Sequence, residues 1–132
     1  MASYASFGHE PATTPLHNEL ESRGVEVLLP ILLPDKNLSW QRLEGGELGV
    51  EAIGTCSLVI LPGLAGDLRG HRLGRGGGSY DRALARVDSS VPRVLLLYRA
   101  DVCDVPVEPH DALVTHLATA DGVRATSAWL DA

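Results

Sequence analysis

Arg69, Arg72, Arg75 and Arg82 crowd together with Gly74, Gly76, Gly77 and Gly78 inside the stretch LVILPGLAGDLRGHRLGRGGGSYDRALAR, from Leu58 to Arg86. Guanidinium forks match phosphate oxygens in geometry and charge. Glycines let the backbone take positive φ and approach a ligand closely. A run of backbone N–H groups opening onto a helix start is an anion site. Asp67 and Asp81 bracket the loop, and carboxylates so placed hold a divalent cation against phosphates. The chemistry to expect is therefore phosphate binding with a divalent cation. The competing reading is a Gly-rich surface loop with solvated arginines. The loop is not a P-loop, since no Gly-Lys-Ser/Thr occurs, and GRGGGS does not fit the dinucleotide fingerprint.

The elements that must position this loop follow from the flanking pattern. Ser57–Leu61 reads as a strand ahead of the loop, and Ser79 to Val87 as a helix after it, with Ala83, Leu84 and Val87 facing inward. Further strands are expected at Val25–Leu29, at Arg93–Tyr98 and, short, near Leu113–Leu117, with an edge strand at Gly122–Ala125. Thr14 reads as an N-cap with Pro15 in the first turn, and Gly24 stands where that helix ends. Leu16 and Leu20, four apart, would face the core. Residues 30–54 read as irregular, with Pro34, Gly45, Gly46 and Gly49 breaking any period. Short continuous apolar runs separated by helices predict a mainly parallel sheet covered on both faces. Ligands of such sheets sit beyond the strand C-termini, where the loop after Leu61 falls.

A chain of 132 residues with no repeat and no dividing linker is one domain, 1–132. A net charge of −6 argues against a nucleic-acid partner, so the arginines form a local patch suited to a small anionic ligand. Cys56 and Cys103 have neither CxxC nor zinc spacing, which points to buried thiols in a reducing cytoplasm. His9, His17, His71, His110 and His116 show no metal-ligand spacing. No apolar run approaches the ~18 residues of a membrane span, and no signal peptide is present.

The wording of the loop carries a resemblance. Pro62, Ala65, Asp67, Gly70, Arg72, Leu73, Gly74, Gly76, Gly78, Tyr80, Asp81 and Arg82 fall, ungapped, on the signature of the 5-formyltetrahydrofolate cyclo-ligase family. Elsewhere, Glu10-Pro11-Ala12-Thr13 resembles the family's Glu-x-x-Thr element, and Gly24 to Pro30 its first retained strand. Leu38-Ser39-Trp40 is similar to the segment that carries an aromatic residue toward the pterin, and Val105 to Asp111 to the Pro-x-Glu-x-His-Asp stretch. The resemblance implies a three-layer α/β/α sandwich. It also implies ATP-dependent closure of 5-formyltetrahydrofolate to 5,10-methenyltetrahydrofolate, with release of ADP and phosphate. In that chemistry Arg72, Tyr80 and Asp81 would be catalytic, and Arg72, Leu73, Gly74, Arg75, Gly76, Gly77, Gly78, Ser79 and Tyr80 would hold ATP. Glu10 and Tyr80 would meet the folate, and Asp81, with Asp67 as the weaker candidate, would bind Mg²⁺.

Departures from the family pattern set further expectations. The chain starts just before the Glu-x-x-Thr element, without the basic helical segment that usually precedes it. A missing cover would leave Leu28, Val59 and Leu95 partly exposed and give a marginally stable monomer or a weak homodimer. Loss of a phosphate-contacting cation costs on the order of 10²–10³ in rate. Ser79 replaces the first tyrosine of a Tyr-Tyr pair, Gly66 a larger apolar residue, and Thr115 a frequent aspartate; Gly49-Val50-Glu51 stands where the family has a Gly-x-x-Glu-Pro turn. A catalytically impaired relative that only binds nucleotide or folate, or serves as an interaction module, is thus the second reading. A sugar-phosphate isomerase-like binder is the third. Individual residues keep plainer alternatives: Arg72 as an ion-pair partner of Asp67 or Asp81, Asp81 as a helix-start carboxylate, and Glu10 solvated near the N-terminus. Tyr80 can equally be a core-edge aromatic, and Trp40 and Trp129 packing residues.

Overall fold

The computed structural model describes residues 1–6, 8, 10–74, 78–106 and 111–131. In chain order its elements are α1 (Thr14–Ser22), β1 (Leu28–Leu32), β2 (Leu38–Arg42), β3 (Gly45–Gly49), β4 (Val59–Leu61), β5 (Ala65–Gly66), β6 (Arg72–Leu73), α2 (Ser79–Leu84), β7 (Arg93–Leu96), β8 (His116–Thr119), β9 (Gly122–Ala125) and α3 (Ser127–Leu130). Short 3-10 turns occupy Val50–Thr55 and Arg99–Asp101.

Two sheets meet at the N-terminal residues. β1, β2 and β3 form an antiparallel meander, while β4, β7, β8 and β9 follow one another in a second sheet. Ala2 bridges both, parallel to Leu28 on one side and to Val59 on the other. Its N–H donates to Leu58 O at 3.0 Å and its carbonyl accepts from Ile60 N at 2.9 Å, while Ser3 N donates to Leu28 O at 2.9 Å. A single mixed sheet results. Among the named strands of the described residues, β4/β7 and β7/β8 alone pair parallel; the meander and the β8/β9 hairpin are antiparallel, so the sheet is mixed and not mainly parallel. The reason is connection length. Parallel neighbours need a crossover of a dozen or more residues, and the short links from β1 to β2, from β2 to β3 and from β8 to β9 permit only antiparallel return.

The meander occupies the segment expected to be irregular. β3, Gly-Gly-Glu-Leu-Gly, is almost wholly exposed, so it carries no apolar alternation from which a strand is read. The β5/β6 hairpin and α3 were likewise invisible to the apolar pattern, being two-residue strands and one helical turn. The edge strand at Gly122–Ala125 lies where it was expected.

The N-cap of α1 is Thr13, one residue before the expected Thr14. Thr13 is fully buried, and its hydroxyl donates to Tyr4 O at 2.9 Å and accepts from Ser6 N at 3.1 Å. The cap therefore ties the helix to the strand-like N-terminus. α1 buries His17 rather than Leu16 and Leu20, which are half-buried. Burial holds the His17 imidazole below its ordinary pKa against the pull of Glu21, and its Nε2 meets Ser3 Oγ at 2.7 Å. A neutral imidazole with a hydroxyl partner is tolerated in a core.

Leu28, Val59 and Leu95 are not uncovered: each is at most 4% exposed. They belong to one cluster with Trp40, Ile53, Leu61, Ala83, Leu84, Val87 and Leu117, so α2 and the Val50–Thr55 turn supply the cover whose absence was expected. Of the two thiols, Cys56 is buried but Cys103 is exposed, which corrects the reading of both as core groups. Trp40 is a core residue; Trp129 is partly exposed and stacks on His116 with ring centroids 5.0 Å apart.

Asp67 is the hub of the turn between β5 and β6. Its Oδ1 accepts from Arg69 N at 3.0 Å and His71 N at 3.1 Å, and its Oδ2 lies 3.3 Å from Arg69 Nη2 and 3.0 Å from His71 Nδ1. Burial opposes its ionisation, yet the hydrogen bonds from His71 and Arg69 prevail and hold the carboxyl below its ordinary value of 3.8. A depressed carboxyl stabilises the fold fully above its unfolded pKa and loses that contribution as pH falls through the folded value. Asp67→Asn is therefore expected to lower stability at neutral pH and to flatten the loss of stability below about pH 4; urea melts at pH 7 and pH 3 measure both. Gly70 closes the same turn with φ +102°, and a Cβ there would sit 2.6 Å from the Val114 carbonyl oxygen. Gly70→Ala should cost about 1–3 kcal/mol, read as a lowered Tm in thermal unfolding.

Candidate active site

A cleft of about 750 Å³ opens where β4 ends, a volume within the ordinary range of ligand sites. Pro62 and Gly63, which follow β4 directly, lie in its wall beside Arg72, Leu73 and Gly74 and, after the interval of the loop, Gly78, Ser79, Tyr80 and Asp81. Facing chemistry of a different kind comes from Tyr4, Ala5, Leu29, Pro30, Leu32 and Leu38, with Glu10 and Gln41 as polar groups. Pro106 and Asp111 complete the lining. One part of the cleft is thus cationic and rich in glycine, and the other is apolar with few polar side chains.

Arg72 organises the cationic part. Its Nη1 donates to the carbonyl of Pro62 at 2.9 Å, and its guanidinium carbon lies 5.4 Å from the centre of the Tyr80 ring. Burial lowers its pKa, opposed by the charges of Asp81, Tyr80 and Asp111. A guanidinium does not give up its proton under such pressure. It stays a partly desolvated cation, whose attraction for an anion is stronger than in water. Gly74 makes room for it: a Cβ at that position would come within 3.1 Å of Arg72 Nη1.

Tyr80 and Asp81 open α2, whose N-cap Gly78 is left-handed with φ +71°. Burial pushes the Tyr80 hydroxyl well above its usual pKa, eased by Arg72 and reinforced by Tyr4 and Glu10; it remains a neutral phenol. Asp81 Oδ1 accepts from Ala112 N at 3.1 Å, which ties α2 to the segment after Asp111. Among the described residues, no group of three or more His, Cys, Asp or Glu side chains is arranged to cage a metal ion.

The fold thus brings together Glu10, Arg72, Leu73, Gly74, Gly78, Ser79, Tyr80 and Asp81. Arg75, Gly76 and Gly77 lie outside the described residues, as do His9 and residues 107–110. Asp67 is not in the cleft. Its carboxylate is engaged by Arg69 and His71 within its own turn. Trp40 is fully buried and outside the lining, and Leu38 of the same strand reaches the cleft instead. Tyr4, Leu29, Pro30, Leu32 and Gln41 were not foreseen, because nothing in their local sequence distinguishes them from packing residues. Asp111 did carry a signal, as the last residue of the Pro-x-Glu-x-His-Asp-like stretch.

Comparison with known proteins agrees with this geometry. The profile of the 5-formyltetrahydrofolate cyclo-ligase family matches residues 1–120. The chain is 33% identical to the 5-formyltetrahydrofolate cyclo-ligase of Mycolicibacterium smegmatis, over 90% of this chain and 72% of that protein. It is 42% identical to the mitochondrial enzyme of that name from Arabidopsis thaliana, over 50% of this chain and 28% of that protein. Among solved structures, the 5,10-methenyltetrahydrofolate synthetase of Aquifex aeolicus superposes with a TM-score of 0.74 at 30% identity, covering 94% of this chain and 70% of that one. The synthetase of Mycoplasma pneumoniae shares the fold at the same TM-score of 0.74 and 19% identity, over 88% of this chain and 70% of that one. With the loop wording, the cleft and a match along most of its length in agreement, the chain belongs to the 5-formyltetrahydrofolate cyclo-ligase family of ligases.

Proposed function

We propose that the chain closes 5-formyltetrahydrofolate to 5,10-methenyltetrahydrofolate at the expense of ATP, releasing ADP and phosphate. The observation that carries this reading is Arg72, a desolvated cation stacked near Tyr80 at the junction of a glycine-rich wall and an apolar one. The formyl oxygen attacks the γ-phosphorus and ADP leaves, which activates the formyl carbon as an imidate phosphate. Nitrogen 10 then adds to that carbon, and phosphate departs. Phosphoryl transfer of this kind asks the protein for position and charge stabilisation.

Each wall has its part. Arg72 neutralises charge developing on the transferred phosphoryl group. Gly74 and Gly78, together with Arg75, Gly76 and Gly77 of the same loop, let the backbone approach the phosphates, with Leu73 and Ser79 beside them. Glu10 and Tyr80 meet the folate, whose bicyclic ring fits the apolar part. The carboxylates suit a nucleotide-borne Mg²⁺, because this ion is usually held by one or two carboxylates plus substrate phosphates; Asp81, with one oxygen not engaged by Ala112, is the ligand we assign, and Asp67 is not. When bound, Mg²⁺ supplies positive charge to the β- and γ-phosphate oxygens.

The wider reading follows. α1, α2 and α3 are taken as outer layers of a three-layer α/β/α sandwich around the mixed sheet. No helix among the described residues is long and apolar enough to cross a membrane, and we place the activity in the cytoplasm, with small-molecule partners only and a monomer or weak homodimer as the working unit. No observation favours a catalytically impaired relative.

Incubation with ATP, Mg²⁺ and 5-formyltetrahydrofolate should yield the methenyl product, followed by its absorbance, and omission of any one component should abolish it. Arg72→Ala is expected to lower the rate by on the order of 10²–10³. In calorimetric titrations run below the Tm of each variant, Arg72→Ala and Asp81→Ala should both weaken Mg-ATP binding. Unchanged Mg-ATP affinity in both variants would remove the assignment.

A further inference from the structure

The N-terminal strand contributes one feature that the reaction scheme leaves unused. Tyr4 lines the cleft and is only 3% exposed, yet its hydroxyl has no hydrogen-bond partner among the described residues and is closed to water. Buried phenols ordinarily find a partner, and an orphaned donor in a core is a standing cost. Tyr4, Glu10, Arg72 and Tyr80 all line this one cleft, and the charge of Glu10 reaches both phenols.

We propose that the Tyr4 hydroxyl is a substrate-recognition group that donates its hydrogen to a carbonyl oxygen of the organic substrate, not to the nucleotide. Three observations argue for that partner. The phosphates have their own cation in Arg72 and their own glycine-bordered wall. Burial, reinforced by Glu10 and Tyr98, raises the Tyr4 pKa, so the group is a donor at any working pH. Finally, the apolar side chains around it, Leu29, Pro30 and Leu38, suit a flat bicyclic ring with a few polar atoms at its edge. A substrate acceptor that reaches the hydroxyl would satisfy a donor left without a partner among the described residues. A substrate lacking the acceptor would leave the donor unpaired, which is the usual physical basis of discrimination at such sites.

This inference rests on the cyclo-ligase reading, and the test separates the two. Tyr4→Phe keeps the ring and removes only the hydroxyl. Titration calorimetry with 5-formyltetrahydrofolate and, separately, with Mg-ATP would be run on parent and variant alongside thermal unfolding. The expected result is a Kd for 5-formyltetrahydrofolate raised roughly three- to tenfold, an unchanged Kd for Mg-ATP, and a Tm equal to or above that of the parent. Equal affinity of both proteins for 5-formyltetrahydrofolate overturns the role of Tyr4 and leaves the reaction assignment standing. A variant with a lowered Tm and proportionate loss of both ligands shows a merely structural hydroxyl and also overturns it. A parent chain that does not bind 5-formyltetrahydrofolate at all overturns the functional reading itself.

Discussion

The insertion of Ala2 between Leu28 and Val59 is the contact on which the rest of the architecture depends. Neither neighbouring strand reaches the other, so the N-terminal backbone satisfies the edges of both at once, through bonds to Leu58 and Ile60 on one side and Leu28 on the other. Sheet edges carry obligatory donors and acceptors, and the site between them has space for little more than backbone: Ala2 is fully buried. Because the insertion is a strand only a few residues long, Tyr4, Ala5 and Glu10 emerge from it directly into the cleft. The Thr13 hydroxyl then returns the chain to Tyr4 O and fixes the start of α1.

The other wall is built by a local device. Asp67 gathers the backbone of Arg69 and His71 around its carboxylate and so sets the turn that delivers Arg72 to the cleft. Gly66, next to it, has no room for a side chain: a Cβ would lie 2.5 Å from Leu95 Cδ2 and 3.1 Å from Leu97 Cδ1. The larger apolar residue that the family usually has there is absent, and leucines from β7 and the residue after it fill the space. The replacement is thus a compensated packing change rather than a defect of the site. Thr115 tells a similar story. Its hydroxyl bonds both the N–H and the carbonyl of Arg93 and meets His116 Nδ1 at 2.8 Å, so it joins β7 to the start of β8 and lies outside the cleft lining. Ser79, in contrast, does line the cleft, where a smaller side chain widens the lip.

In the cleft Arg72 is a partly desolvated cation on which the charges of Asp81 and Asp111 act. Arg72 is held by the Pro62 carbonyl and the Tyr80 ring, while Asp81 spends one oxygen on the Ala112 amide. Positive charge is available to phosphates at a point already oriented, with little reorganisation required on binding. The apolar part lowers the local dielectric around that point, which strengthens the same attraction.

That Arg72, Gly74, Gly78, Tyr80 and Asp81 share one cleft was legible in the sequence because the determinants are local. Glycines, arginines and the Asp-Arg pair within one loop are neighbours whatever surrounds them, and short continuous apolar runs such as Val59 to Leu61 and Val94 to Leu96, bounded by turn residues, favour strands. The edge strand at Gly122–Ala125 was readable for the same reason, since its turn and length are set within a few residues. Tertiary structure alone decided the rest. Within the meander β3 lacks an apolar period because it faces water, and β1 and β2 bury only part of their length, so pairing defines these strands more than their side-chain pattern does. His17 displaced its leucine neighbours from the core because Ser3, fourteen residues away, offered it a partner. Asp67, apparently free in the sequence, was claimed by backbone amides that only the folded turn presents. Tyr4 entered the site only because a backbone insertion far from the loop placed it there: hydrogen-bond satisfaction between distant strands, which no single segment encodes, decides which residues face the ligand.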